Sequence, residues 1–448
     1  MRIALDAMGG DLAPKATVDG GVLAARDFGV EVLLVGDQAV LQPALASHQT
    51  RGLRVEIVHA TESVAMDESP LESAMAKPDS SIHRGLELLR TGAADGFVSA
   101  GNSGAVMTAA IVVLGTLPGV DRPAIASLVP SAVGPVLLID AGANTDVKPV
   151  NLVQFALMGT AYWRQVRATP QPRVGILSNG EEDAKGNDLT RAAASALREL
   201  APHVNYVGYV EGRDINRGKV DVVVTDGFTG NVTLKTMEGL AAFVMGSFRE
   251  LFIGSLGGRL AYLLIRKRLS AMRAELDPTE YGGAPLLGIA GVTVIAHGSS
   301  SPHAIRNAVR AAANEAMVKR VNSDIADLLA RCSAAGPGKP AAKRFRAMFS
   351  RMRDRLHLHS RERSAPDRNH RVPDHADWPD PHADHESEPA LSHPEKEPQR
   401  AKVEGAGSPN GTGAENLQEL GDDQGRSHVH GHDRPSHDAS SDRPDDKE

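Results

Sequence analysis

Residues 220–238 read VDVVVTDGFTGNVTLKTME, and their reading decides the fold. Val222, Val223 and Val224 form an apolar, β-branched run, so residues 220–225 are predicted to be a buried parallel strand. The run stops at Asp226-Gly227-Phe228-Thr229-Gly230-Asn231. Beyond it, apolar residues recur at Leu234, Met237, Leu240, Ala241, Val244, Met245 and Phe248, which is helical spacing. A strand, a glycine-bearing turn and a helix aim unpaired N–H groups and a positive helix end at one point, where an anion fits. A plain βα turn whose glycines only relieve strain gives the same local pattern.

The punctuation recurs along the chain. Ile3-Ala4-Leu5-Asp6 runs into Ala7-Met8-Gly9-Gly10-Asp11, and Gly96-Phe97-Val98 into Ser99-Ala100-Gly101-Asn102-Ser103-Gly104. Residues 136–139 lead to Asp140-Ala141-Gly142-Ala143-Asn144-Thr145-Asp146, and residues 174–177 to a polar stretch ending Asp183-Ala184-Lys185-Gly186-Asn187. Residues 292–296 lead to His297-Gly298-Ser299-Ser300-Ser301. Strands alternating with helices predict an α/β fold built on a parallel sheet. In an open parallel sheet all six polar ends would share one edge and form a crevice there.

The chain of 448 residues holds one large domain or two ordinary ones. Composition changes near Cys332: aliphatic residues dominate before it, and Pro, His, Asp, Glu and Ser after it. The reading is a folded domain over residues 1–331 and a disordered His/Asp/Pro-rich tail over 332–448, too poor in apolar surface to offset chain entropy. A net charge of −7 carries no signature of nucleic-acid binding. The single cysteine excludes an intramolecular disulfide, fits a reducing compartment and, without a histidine nearby in sequence, reads as incidental. The chain enters a strand directly, with no signal-peptide pattern, and no apolar run reaches the roughly 18–20 residues of a spanning helix. The expected location is the cytoplasm.

Two segments nevertheless suit a membrane surface. Residues 251–265 are apolar and glycine-broken, and Arg266-Lys267-Arg268 follows at once, as in a helical hairpin with a greasy tip and a basic collar. Packing against a partner subunit fits the same residues. In residues 343–356, Phe345, Met348, Phe349, Met352 and Leu356 share one helical face among five arginines, a basic amphipathic pattern.

Several chemistries lack their residues. No G-x-G-x-x-G follows a strand, and no G-x-x-x-x-G-K-[ST], nucleophile elbow, H-E-x-x-H or cysteine cluster occurs, so neither metal nor redox cofactor is expected. The predicted crevice holds Asp, Asn, Ser, Thr, glycine amides, Lys148, Lys185 and Lys235, which suit binding and positioning an anion. Lys185 stands beside Glu181, Glu182 and Asp183, where a cation would hold phosphate near an incoming acyl group. Asn231 is fitted either to cap a helix or to donate its amide to an oxyanion. Asp140, Asn144 and Asp146 read equally as loop-closing residues. His297 reads as a hydrogen-bonded structural residue or as a general acid or base.

Seven motifs now stand in order: residues 6–11, 99–104, 140–144, 178–182, 225–235, 280–288 and 296–300. Together they resemble the bacterial phosphate acyltransferases of phospholipid synthesis, the PlsX family, collinearly from Met1 to about Asp327. The resemblance implies a homodimer with a three-layer α/β/α fold around a mostly parallel sheet, similar to phosphotransacetylases and isopropylmalate dehydrogenases, carrying a protruding helical pair at 251–275 that docks on an anionic membrane. It implies transfer of a fatty acyl group from acyl-acyl-carrier-protein to inorganic phosphate, giving acyl phosphate for a membrane glycerol-phosphate acyltransferase. Lys185 and Asn231 then fall at the acyl-transfer centre. Asp6, Gly9, Gly10, Asp11, Asn102, Ser103, Gly104, Asp140, Asn144, Gly227, Thr229, Gly230, His297 and Ser299 fall at the substrate. Ser301-Pro302-His303 departs from the family's usual lysine-bearing sequence, with His303 a partial substitute for its charge. For the acidic carrier protein, Arg213, Arg217 and Lys219, or residues 266–268, offer a basic dock. The rival readings are a short-chain phosphotransacetylase using coenzyme A, a dehydrogenase of related fold, and a catalytically silent scaffold at the membrane.

Overall fold

The computed structural model describes residues 1–276, 280, 282–317 and 320–334. In chain order the first part builds β1 (Arg2–Asp6), α1 (Lys15–Phe28), β2 (Glu31–Gly36), α2 (Gln38–Ala46), β3 (Val55–His59), α3 (Pro70–Ala76), α4 (Ser81–Arg90), β4 (Gly96–Ser99) and α5 (Ser103–Val113). The middle builds β5 (Ala124–Val129), β6 (Val136–Ile139), α6 (Pro149–Arg167), β7 (Arg173–Leu177), α7 (Asp188–Glu199), β8 (Asn205–Val210), α8 (Gly212–Arg217) and β9 (Val222–Val224). Then come α9 (Gly227–Ile253), α10 (Leu256–Leu276), β10 (Ala284–Leu287), β11 (Thr293–Ile295), α11 (Pro302–Met317) and α12 (Val321–Ala334).

The strands form one sheet in the order β3-β2-β1-β4-β11-β10-β5-β6-β9-β7-β8. Pairing is parallel except at β11–β10, β10–β5 and β5–β6. Three reversals are an odd number, so β1, β4 and β11 end at one edge of the sheet and β6, β9 and β7 at the other. The expectation that all six polar ends share one edge is therefore corrected. The cause is local: connections 130–135 and 288–292 are far shorter than the dozen or so residues a parallel crossover needs, so each closes an antiparallel pair.

Helices cover both faces, as expected for three layers. α1 and α11 pack on one face of the β2-β1-β4-β11 half, and α4 and α5 lie on the other. α6, α7 and α12 enclose the second core with β6, β9 and β7. Phe97, Leu137, Leu138 and Phe155 are fully buried, and each such side chain contributes about 1.5–3 kcal/mol by leaving water.

The opening stretch behaves as its pattern dictates. The three valines of β9 are buried, and the helix after them runs 27 residues without a break, about 40 Å at 1.5 Å per residue. A turn at Gly254 and Ser255 sends α10 back along α9, where the Phe252 and Tyr262 rings pack 6.1 Å apart. The element expected at 251–275 is thus the far end of a longer helical pair. Leu251, Leu260, Leu263 and Leu264 are all more than half exposed on it. No helix among the described residues is long and apolar enough to cross a membrane.

At the other end of the domain, α12 continues through Cys332 to Ala334. Cys332 packs against the core, and burial pushes its thiol up to about 11. The composition break therefore falls within the last turn of a packed helix. The tail and its basic segment at 343–356 lie outside the described residues.

Candidate functional site

At the edge where β6, β9 and β7 end, the polar residues bind one another. The buried Asp140 carboxylate accepts N–H bonds from Ile125 (3.1 Å), Gly142 (3.2 Å), Ala143 (2.9 Å) and Asn144 (2.8 Å), and from Asn144 Nδ2 (2.8 Å). Burial raises its pKa and these bonds oppose the rise, leaving it above the usual carboxylate value. Asn144 Nδ2 also reaches the Pro123 carbonyl at 2.8 Å, and its own carbonyl accepts from Gly227 N at 2.7 Å. Asp140 and Asn144 close this loop, one of the two readings their sequence allowed.

The start of α9 is equally occupied. Asp226 caps it, accepting from Thr229 N and Thr229 Oγ1, each at 2.8 Å, while Gly230 N donates to the Asp226 carbonyl at 2.9 Å. The amides of Gly227, Thr229 and Gly230, expected to be unpaired and open to an anion, are bonded instead. The helix's own N-terminal carboxylate supplies the negative charge that its dipole favours. Asn231 is not the cap. It stands one turn inside α9, exposed, with Gly142 packed beside it.

At the opposite edge the loops after β1, β4 and β11 are tied together. Ser99 Oγ donates to the fully buried Asp6 carboxylate at 2.7 Å and accepts from Gly101 N at 3.0 Å. Desolvation raises the Asp6 pKa, against the pull of the Ser99 and Ser81 hydroxyls. A Cβ on Gly9 would lie 2.4 Å from Asp6 Oδ2 and 2.7 Å from Gly101 N, so only glycine lets these loops touch. Gly10 packs on Gly298 and Ala100, and Asp11 N donates to the Gly298 carbonyl at 2.8 Å. Asn102 caps α5 through Ala105 N (3.1 Å) and holds the Met66 and Glu68 carbonyls with its Nδ2 (both 3.0 Å), a cap worth about 1 kcal/mol. Gly104 lies against Pro70, and Ser299 Oγ lies 2.8 Å from His297 Nδ1.

Between the two edges lies a cavity of about 340 Å³. Ile125 and Ser127 of β5 and Ala284 of β10 line it, the very strands that reverse the sheet. Asp11, Ser103, His297 and Ser300 line it from one edge; Asn231, Lys235 and Glu238 of α9 line it from the other. Of the residues expected at the centre, the cavity gathers Asp11, Ser103, Asn231 and His297. Asp6, Asn102, Asp140, Asn144 and Thr229 stand behind it, holding its loops.

Lys185 does not line the cavity. It is exposed in the loop after β7, on the same edge as Asp140 and Asp226 with β9 between. Two of its three expected acidic companions are engaged elsewhere: Glu181 pairs with Lys219 at 2.8 Å and Asp183 pairs with Arg198, while the Glu182 carbonyl accepts from Lys185 N at 2.9 Å. Among the described residues Lys185 forms no ion pair. His303 Nε2 lies 2.9 Å from Glu280 Oε1, so its ring is engaged by that carboxylate. Glu181, Glu211 and Asp214 bring carboxylate oxygens within 4.8 Å of one another, but Lys219 Nζ stands 2.8 Å from Glu181 and 3.8 Å from Asp214 and supplies the cation.

Ser127 and Glu238 line the cavity without having been singled out in the sequence as site residues, and Ser300 joins them from the motif at residues 296–300. Glu238 had a signal, since it follows Asn231 and Lys235 at helical spacing, and it pairs with Lys235 at 2.8 Å. Ser127 had none, because its place depends on the reversal of β5.

The cavity is walled by hydroxyls, an amide, a histidine, the Lys235–Glu238 pair and the Asp11 carboxylate over an apolar floor, a concave site with a few convergent polar groups. The chain belongs to the fatty acid synthesis protein family, whose pattern matches residues 1–323. It is 50% identical to the phosphate acyltransferase of Geobacter sulfurreducens over 327 residues, covering 73% of this chain and 94% of that one. The phosphate acyltransferase of Myxococcus xanthus is 49% identical over 350 residues, 77% of this chain and 98% of the other. A phosphotransacetylase from Staphylococcus aureus aligns in structure with a TM-score of 0.45 and 16% identity, over 70% of this chain and 94% of its own.

Proposed function

We propose that this enzyme transfers a fatty acyl group from acyl-acyl-carrier-protein to inorganic phosphate, releasing acyl phosphate and the carrier thiol for phospholipid synthesis. The observation that carries this reading is the 50% identity to a phosphate acyltransferase across nearly that protein's full length. The cavity is suited to the chemistry. A phosphate oxygen attacks the thioester carbonyl carbon, an oxyanion forms, and its collapse breaks the C–S bond, the departing thiolate taking a proton. Asn231 donates its amide to the oxyanion, Lys235 offsets the approach of two negative groups, and Lys185 adds positive charge from the loop after β7. The test is to incubate the protein with long-chain acyl-carrier-protein thioesters and phosphate and to trap acyl phosphate with hydroxylamine. Phosphate-dependent trapping is expected. Turnover of acetyl-coenzyme A with none of the long-chain thioester would overturn the reading in favour of a phosphotransacetylase.

The helical pair supports two further parts of this reading. Leu240, Phe243 and Leu251 are 62%, 71% and 68% exposed along one stripe of α9, a face that a second copy of the chain would cover in a homodimer. The acyl phosphate product carries an apolar tail, so delivery to a membrane glycerol-phosphate acyltransferase favours peripheral docking at the cytoplasmic face of the cell membrane. Leu263 and Leu264 give the pair apolar reach, and the exposed Arg266, Lys267 and Arg268 add about 1 kcal/mol each near an anionic leaflet. Replacing Leu264 and Ile265, which lie outside the groove between α9 and α10, by serine should move the protein from anionic vesicles to the supernatant on sedimentation, with acyl phosphate formation in solution retained. Co-sedimentation equal to the unmodified protein would remove these residues from the membrane contact. For the carrier protein, residues 266–268 are the better dock, because Arg213 pairs with Glu211 and Lys219 with Glu181.

A further inference from the structure

The residues of α9 that line the site cavity are Asn231, Leu234, Lys235 and Glu238. A second cavity, of about 800 Å³, lies between α9 and α10, and α9 lines it with Ala242, Met245, Gly246, Arg249 and Phe252. Every step along this series is one, three or four residues, so both cavities open on the same face of one helix. One helical turn separates them, between Glu238 and Ala242. The exposed stripe of Leu240, Phe243 and Leu251 lies on the opposite side of α9 and stays available to a partner subunit.

We propose that this inner face of α9 is the track of the acyl chain, with the reacting carbonyl beside Asn231 and the tail entering the groove between α9 and α10. The proposal rests on the acyl-transfer reading above and adds the site that receives the hydrocarbon. Length sets how far the tail reaches: Asn231 to Ala242 spans about 16 Å at 1.5 Å per residue, close to the ~15 Å that lipid chains fill in one bilayer leaflet, so the end of a long chain arrives at the mouth of the groove beside Ala242. Shape supports the track, since a Cβ added at Gly246 would meet nothing within 4 Å, which leaves room along the groove floor. Met245, Phe252 and Leu263 give the groove apolar walls. Arg249, Arg259 and Arg266 line it too, their aliphatic stems extending the wall and their charges suiting the phosphate of a product moving outward.

The mouth of the groove can be filled by Ala242→Trp in the full-length protein, assayed with hexadecanoyl and hexanoyl thioesters of acyl-carrier protein. The long-chain kcat/KM should fall about tenfold or more while the short-chain value changes by less than about twofold, the split expected of a hydrocarbon pocket. Equal losses for both chains, or no loss for either, would overturn the track. On the unmodified protein, a hexadecanoyl thioester bearing a terminal diazirine should photolabel residues 242–246; labelling only elsewhere would overturn it independently of how the variant folds. Absence of acyl phosphate from either thioester with the unmodified protein would instead sink the acyl-transfer reading, and the photolabelling result would still judge the groove.

Discussion

Gly230→Ala should be among the most destabilising single-methyl additions in this protein and should abolish its activity. A Cβ at this position would lie 1.9 Å from the Asp140 carbonyl oxygen, 2.9 Å from Thr225 Cγ2 and 3.0 Å from the Asp140 carbonyl carbon. The nearest of these atoms is backbone, so no flexible side-chain end can swing aside to relieve the contact. Either α9 must lift from the sheet edge or the loop after β6 must move, and that loop is held by five hydrogen bonds to the Asp140 carboxylate. Overpacking of a core costs about 1–3 kcal/mol and more where backbone must shift, so a loss of at least about 3 kcal/mol and several degrees in melting temperature is expected. Asn231 is the next residue, so lifting α9 also displaces its amide from the cavity. The control is Gly239→Ala in the same helix, where an added Cβ meets nothing within 4 Å. That change should be neutral or stabilise by up to about 1 kcal/mol, the usual gain for replacing glycine within a helix. Equal melting temperatures for the two variants would mean that α9 is not seated on the Asp140 loop.

Most of the scaffold was legible because it follows from periodicity. The run at residues 136–139 is β6 residue for residue, and the valines at 222–224 sit in a strand that sequence placed at 220–225. What escaped was direction. A polar loop after an apolar strand looks the same whichever way the strand runs, yet the six-residue link at 130–135 could only have closed a hairpin, and its length was visible. The site was half legible for a related reason. Glycines and small polar residues mark where chain elements approach closely, but not whether their hydrogen bonds face a ligand or one another. Asp140, Asn144, Asp226 and Asn102 spend theirs on the backbone, and Asp226 followed by Thr229 is a capping pattern that could have been read from the sequence. Asn231 escapes that fate because it lies beyond the cap, where the first full turn of α9 faces the cavity.

Asn231→Ala should lower kcat by about a hundredfold to a thousandfold, the effect of removing one donor to a developing oxyanion. The melting temperature should stay near that of the unmodified protein, since the side chain is exposed and its removal leaves no buried polar group unpaired. The loss should be the same for hexanoyl and hexadecanoyl thioesters, because the amide acts on the carbonyl common to both; this separates it from a change in the acyl track. Asn231→Asp keeps the shape but places a carboxylate where negative charge develops, so it should be at least as damaging as alanine. Lys185 provides the contrast. It lies outside the cavity wall, on a loop of the same edge, so its charge acts on phosphate approach more than on the carbonyl. Lys185→Ala should therefore raise KM for phosphate by about tenfold or more, with an effect that weakens as salt is added. If Asn231→Ala kept its kcat while Lys185→Ala lost a hundredfold or more of it, the transfer centre would lie over the β7 loop, and the cavity lined by His297 and Asn231 would hold only the entering chain.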